Sequence, residues 1–548
     1  MRIRSFYLLL LLASAAATEA WGGQSSILDF GAAADAGKDN AAAIQRAIDT
    51  VAESGGGTVL VPAGRFVTGP LRLRSRITLH LEPGAVLQAS PRLEPYPRQA
   101  RSPNGESGRP GLLTTRNATE VAITGRGTID GSALAFVFTN QWKPLGSVGT
   151  RKFTRQGEDF MHPKFGTEHG PFAHSGHRPG SLVRFLNCTN VLISGVTIQN
   201  APTWTVHVHE CAQVKILGVN INSRASNLRI PNDDGIDLVR SRLVQIADCD
   251  IQTGDDCIAL FGSQCVTVNN CTLHSRSSAI RVGYDEGDTR HCVFRGLVIH
   301  DANRGLGVFV RGTGSVEDIL FADVVMTTRL YTGDWWGKGE PIHVSAVPFA
   351  ESGKPLGAIR NVRFHDITAT SESGIVIYGT KESPIRELSL ENIHLTVRNG
   401  PLSRSYGGNF DLRSADRDER ALFKHDIAGL YAGQVEGLTV RGFRLSWEGE
   451  LPDFYTDGLR IERFANVLIE GFEGRQAPSS PPSAALALSH GRGVTIRDCT
   501  AAEGTALFMR TEDVQGRLFV NNDLSRARAV SEPKELPFQA LNNLLPQP

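Results

Sequence analysis

Two short acidic motifs carry the residue types and the spacing that chemistry needs. They are Asn232-Asp233-Asp234-Gly235-Ile236-Asp237 and, about one solenoid coil later, Gly254-Asp255-Asp256-Cys257. If they lie on neighbouring parallel strands, stacking gathers Asp234, Asp255 and Asp256 on one surface. Adjacent strands run roughly 4.8 Å apart, and diagonal offsets reach about 5–9 Å. Carboxyl pairs that cleave glycosidic bonds work at separations of that order. Crowded carboxylates repel, so at least one is expected to keep its proton near neutrality and donate it while its neighbours activate water. Side chains alternate faces along a strand, so Asp255 and Asp256 share a cleft only if the backbone bends, and Gly254 offers that bend. A solvated or calcium-binding cluster can also contain Asp-Asp in a turn. The one-coil spacing from the first motif favours catalysis.

The elements that must position these residues are legible as a repeat. Asn190-Val-Leu-Ile-Ser-Gly-Val-Thr-Ile198 returns as Gln213 to Ile221, Leu243 to Ile251 and Cys265 to Leu273, with an earlier copy at Val121 to Ile129. Further copies start near His291, Asp318, Asn361, Glu387, Gly437, Asn466, Gly493 and Arg517. Period-two alternation predicts strands, and most start-to-start intervals, about 22–30 residues, signal a solenoid. Glycine and asparagine at the bends allow positive φ. The expectation is an all-β chain forming a parallel β-helix. A short amphipathic helix with Ala43, Ile44, Ala47, Ile48 and Val51 on one face, capped by Asp39 or Asn40, closes its first coil. One domain is expected over residues 25–530, with loop insertions near 91–119, 131–180, 327–358 and 398–435. Residues 531–548 read as a loosely packed tail.

Composition narrows the partners. Lysine plus arginine and aspartate plus glutamate both number 57, so no overall field draws the chain to nucleic acid or an anionic membrane. Arg2 and Arg4 before the apolar run Leu8 to Leu12 and the small residues Ala13 to Ala17 read as a signal peptide over residues 1–20. A secreted or periplasmic protein without a membrane span is expected. Seven of the eight cysteines fall between Cys188 and Cys292. Cys188 and Cys211, like Cys249 and Cys271, take equivalent places in successive coils, which fits either disulfides or buried thiols. No Cys-x-x-Cys or Cys/His cluster points to a metal.

The stretches Asp29-Phe-Gly-Ala32, Val59-Leu-Val-Pro62, Gly127-Thr-Ile-Asp-Gly131, Asn232 to Asp237 and Gly254 to Cys257 together resemble glycoside hydrolase family 28. This is the polygalacturonase-like, pectin-degrading family of right-handed parallel β-helices (pectin lyase-like). The resemblance covers roughly residues 25–330. It implies that Asp255 is the general acid, that Asp234 and Asp256 hold and activate water, and that the anomeric carbon is inverted. No cofactor is implied, and the partner is a poly- or oligosaccharide.

The family pattern Asn-Thr-Asp, then Asp-Asp one coil on, maps onto Asn232 to Asp234 and Asp255-Asp256 without gaps. Two motifs depart from the family pattern. Its Gly-His-Gly motif falls in Ser275 to Gly283, with Ser278 in place of the histidine. Its Arg-Ile-Lys motif falls near Gly305 to Arg311, with Gly307 and Phe309 at the cationic positions. Replacement cations stand nearby at Arg276, Arg281, Arg304 and Arg311, and guanidinium forks suit a sugar carboxylate. Arg281, one coil after the aspartate pair, is the leading candidate. Asn232, Ser278, Trp204 and His207 are expected to line the cleft. The stretch Tyr331 to His343 adds Trp335, Trp336, Lys338 and Glu340, since indoles stack on sugar rings and polar neighbours fix hydroxyls. Two alternatives remain at this point: a polysaccharide lyase using Arg281 or Lys338 as base, and a non-catalytic carbohydrate-binding β-helix.

Overall fold

The computed structural model describes residues 23–546, except 36, 99–107, 139–150, 161–172, 175–176, 224–229, 231, 285, 333–335, 350–353 and 479–482. The expected signal segment and Trp335 lie outside the described residues.

The nine-residue repeat forms coils that pair in parallel and in register. Ile193 stacks on Ile123 and Ile216, and the column continues through Ile246, Val268, Phe294, Phe321 and Phe364 to Leu390. Along this column the side chain grows from isoleucine to phenylalanine. Phe294, Phe321 and Phe364 stack face to face with centroids 4.7 and 5.0 Å apart. Each such side chain, fully withdrawn from water, contributes about 1.5–3 kcal/mol, so every added coil extends the core without closing it. The fold is a right-handed parallel β-helix.

At the bends inside the copies, Gly195, Gly218 and Asn270 have positive φ as expected, joined by Asp248. A second left-handed residue opens many copies: Gln213, Leu243, Cys265, His291, Asp318 and Glu387 all have φ between 53° and 58°. A left-handed turn costs a side-chain-bearing residue about 1–2 kcal/mol, and the strand pairing on either side holds it there.

The N-terminal helix α1 (Ala41–Glu53) buries Ala43, Ile44, Ala47, Ile48 and Val51 against the first coil. Asn40 does not cap it. Asp39 Oδ1 accepts the Ala41 amide at 2.9 Å, while the Asn40 side chain ties Ala33 N to Val67 O. At the other end the expected tail adds to the solenoid: Gln539–Leu541 pairs in parallel with Leu518, Phe519 and Val520.

One sheet positions the site. Its strands are β1 (Val183–Leu186), β2 (Val206–His209), β3 (Ile236–Val239), β4 (Ile258–Phe261), β5 (Ser278–Tyr284), β6 (Arg304–Val310) and β7 (Glu340–Ala346). Val206, Ile236, Ile258, Ile280 and Leu306 point into the core, so the alternate residues Arg184, His207, Asp237, Ala259, Arg281, Gly307 and His343 form an outward column. Insertions far apart in sequence meet over this face. Phe160, Leu330, Tyr406 and Leu422 form a small separate core. The hairpin Asn409–Asp411 with Leu422–Lys424 lies across β6 and β7.

Candidate active site

Gly235 N donates to Asp256 O at 2.8 Å, which sets the two acidic motifs on adjacent coils. The bend between Thr253 and Cys257 is held from three sides. Asp233 Oδ2 accepts the Gly254 amide at 3.1 Å. The Thr253 and Ser275 hydroxyls both donate to Asp255 O at 2.6 Å. Asp256 Oδ1 accepts the Ser278 amide at 2.9 Å. A Cβ at 254 would sit 2.7 Å from Asp233 Oδ1, so any other residue there displaces that carboxylate. Carboxylate oxygens of Asp234, Asp255 and Asp256 consequently lie within 4.8 Å of one another.

Arg281 supplies the counter-charge. Ala259, its register partner in β4, is small enough for the guanidinium to reach back toward the preceding coils. Arg281 Nε contacts Asp256 Oδ2, and Nη2 lies 3.6 Å from Asp234 Oδ2. The guanidinium also sits 4.4 Å from the Phe261 ring centroid and 5.1 Å from that of Tyr284, where the ring faces favour a cation. One arginine does not neutralise the cluster. Burial first, then Asp237, Asp255 and Asp256, push Asp234 well above the usual carboxylate range, with Arg281 opposing. Burial and Asp256 raise Asp255 to about 7 against the pull of Arg281. Asp255 is half-buried, whereas Asp234 and Asp256 are buried. A protonated carboxyl at the cleft surface beside buried partners can donate a proton to a leaving group.

Trp204 is half-buried beside the cleft, stacked near Phe261 at 6.0 Å and edge-on to His207 at 5.0 Å. Trp336 stacks near Tyr284 at 6.1 Å. Trp204, Phe261, Tyr284 and Trp336 thus form a row of rings flanking Arg281. His207, expected at the cleft wall, is fully buried under this row. Asn232 is exposed and accepts from Arg178 Nη2 at 2.8 Å. Ser278 meets Asp256 through its backbone.

Four of the expected substrate-binding residues are drawn elsewhere. Arg304 is 2 % exposed, pairs with Glu340 at 3.6 Å and donates to Asp411 O at 3.1 Å. Lys338 Nζ lies 3.5 Å from Asp411 Oδ2, and Lys338 N donates to Glu340 Oε2 at 2.6 Å. Arg311 donates to Ser345 Oγ at 3.1 Å. Against the push of burial, Arg304 and His343 hold Glu340 down to about 2. The hairpin covers these groups, and no sequence pattern places a segment beyond residue 400 over β6. Gly307 and Phe309 form a unit here. The Phe309 ring fills the space a side chain at 307 would need, 2.5 Å from a Cβ there.

Asp233, Arg178, Phe261 and Tyr284 also belong to the site and carry no signal of their own in the sequence. Asp233 stands in the first acidic motif, where nothing in the sequence separates its role from that of Asp234. Arg178, in the 131–180 insertion, donates to Pro202 O at 2.9 Å and adds positive field at Asp233, Asp234 and Asp255.

Comparison with known proteins agrees with the motifs. The family model for glycosyl hydrolases family 28 matches residues 56–406. A probable polygalacturonase of Vitis vinifera is 32 % identical over 405 residues, covering 68 % of this chain and 75 % of its own. An exopolygalacturonase from Thermotoga maritima shares the fold with a TM-score of 0.54 at 24 % identity, over 69 % of this chain and 88 % of its own. The family 28 exopolygalacturonase of Yersinia enterocolitica gives 0.55 at 20 % identity, over 82 % and 78 %. The chain belongs to glycoside hydrolase family 28 and is a glycoside hydrolase.

Proposed function

We propose that the protein is a secreted or periplasmic hydrolase of pectic or related plant-type polysaccharide, with Asp255 as the general acid and Asp234 and Asp256 holding and activating the attacking water. The observation that carries this reading is the half-buried Asp255, kept protonated to about 7 beside two buried carboxylates that share one arginine. Transfer of the Asp255 proton to the glycosidic oxygen expels the leaving sugar. Water deprotonated by a neighbouring carboxylate attacks the anomeric carbon from the opposite face, which inverts it. The row from Trp204 to Trp336 offers apolar faces to sugar rings. Arg281 pairs with Asp234 and Asp256, so its charge is committed to the aspartates rather than to a substrate carboxylate. The amino-terminal Arg2, Arg4 and Leu8 to Leu12 support export, and no helix among the described residues is long and apolar enough to cross a membrane.

A retaining outcome is the second reading. Carboxylate oxygens within 4.8 Å stand closer than the roughly 6.5–9.5 Å of common inverting pairs, so Asp234 could attack carbon directly. The family's hydrolytic character leaves the lyase and non-catalytic alternatives without support. The test is a panel of pectic and neutral oligosaccharides with the first-formed anomer read by NMR. Hydrolysis of a galacturonate-containing member with inverted product is expected. Cleavage of neutral sugars alone would overturn the substrate, and a retained anomer would overturn the mechanism.

A further inference from the structure

Asp233 lies beside the three aspartates with no part in the steps above. It is 1 % exposed, and both its oxygens lie against Gly254: Oδ2 accepts the amide, and Oδ1 fills the volume of the missing Cβ. The Ser223 hydroxyl and the Arg276 charge face it from other coils. Gly254 is the residue on which the presentation of Asp255 turns. Its carbonyl-side neighbour Asp255 is held by Thr253 and Ser275, but its amide is held by Asp233.

We propose that Asp233 is a positioning residue for the reaction: from the preceding coil it clamps the Gly254 amide, so aiming Asp255 at the cleft, and once ionised it opposes loss of the Asp255 proton. The inference rests on Asp255 being the acid. The groups facing Asp255 are Asp256 from its own bend, Asp233 and Asp234 from the preceding coil, Ser277 and Arg281 from the following one, and Arg178 from the insertion. Burial and then Asp256 raise Asp255, Arg281 opposes, and Asp233 adds to the rise. Burial raises Asp233 itself to about 7, so its charge bears on Asp255 at the alkaline limb and not on the acid side; without it the balance there moves toward Arg281, and Asp255 gives up its proton at lower pH.

The experiment measures kcat and KM against pH for the parent, Asp233→Asn, Asp233→Val and Asp255→Asn, on the panel oligosaccharide that the parent turns over fastest. Asp233→Asn keeps an acceptor for Gly254 N but loses the charge. Its alkaline limb in kcat/KM is expected to fall by about half to one pH unit, with kcat on the acid side within about twofold. Asp233→Val loses the clamp as well, and kcat is expected to drop about tenfold or more at every pH with KM within about threefold. Circular dichroism and melting report folding, and if the valine variant does not fold, the asparagine variant decides. An Asp233→Asn profile that superimposes on the parent's would overturn the inference while an inactive Asp255→Asn leaves the acid assignment standing. An Asp255→Asn enzyme with parental turnover would overturn both.

Discussion

Two charge clusters lie on the same outward sheet face a few coils apart, and they titrate in opposite directions. Around β3 to β5, Asp233, Asp234, Asp255 and Asp256 gather about Arg281; burial raises Asp233 and Asp255 to about 7, with repulsion from Asp256 adding at Asp255. Over β6 and β7, the three cations Arg304, Lys338 and Arg413 surround Glu340 and Asp411, and the carboxyls fall below their usual range despite burial. Where cations outnumber carboxylates beneath a hairpin, the network fastens an insertion to the solenoid. Where carboxylates outnumber cations at the foot of an aromatic row, the excess is a store of protons for chemistry. The family's cationic motif would have stood in the region over β6. There this chain carries Gly307 and the Phe309 ring that covers it, with arginine heads 5.1 and 5.2 Å from that ring.

The sharpest way to break this contrast is Asp255→Asn. It removes the transferable proton at constant volume, and kcat is expected to fall about 10²–10⁴-fold with melting temperature unchanged. Steady-state rates beside a thermal melt check it. The cluster over β6 and β7 should respond in the other observable. Asp411→Asn leaves Lys338 and Arg413 buried without their counter-charge and is expected to cost about 3–5 kcal/mol of stability, seen in denaturant unfolding, while kcat per folded molecule stays within about twofold. Arg281→Ala tests whether the arginine serves the aspartates or the substrate. A kcat loss of about 10–100-fold, with a smaller change in KM, fits the ion pairs seen here; a rise in KM alone would return Arg281 to substrate binding.

The smallest expected effect concerns pH and stability. Carboxyls with raised folded pKa values bind protons more tightly when folded, so the acidic cluster stabilises the fold most at low pH and progressively less as pH rises from about 4 through about 7. Glu340 and Asp411, with lowered values, act the other way and lose their contribution as pH falls below about 4. Asp234→Asn removes one of the repelling charges and is expected to raise the melting temperature by a few degrees at pH 8 and by less at pH 4, measured by calorimetry.

The repeat and the three aspartates are legible in the sequence because both follow from short-range patterns: alternation fixes which residues point inward, and coil length fixes which stack. Ile193 on Ile216, and Asp234 one coil before Asp256, follow from counting. Corners at Leu243 or Glu387 are not legible, since pairing on either side imposes a conformation those residues do not prefer. Nor are the contacts made by insertions. Arg155 meets Asn409, and Arg304 meets Asp411, across loops whose path no periodicity encodes. For that reason Arg304, Lys338 and Glu340 read as sugar-facing residues although the hairpin covers them. Asp233 escapes notice for a different reason: in a run of aspartates, only the geometry at Gly254 distinguishes a clamp from an acid.

The pH dependence of kcat/KM for the unmodified enzyme bears most directly on the claim that a crowded carboxyl supplies the proton, because it reports the ionisations of the free enzyme. Activity persisting up to an alkaline limb near pH 7 is expected from the raised Asp255. A limb near the ordinary carboxylate range, around pH 4, would contradict it.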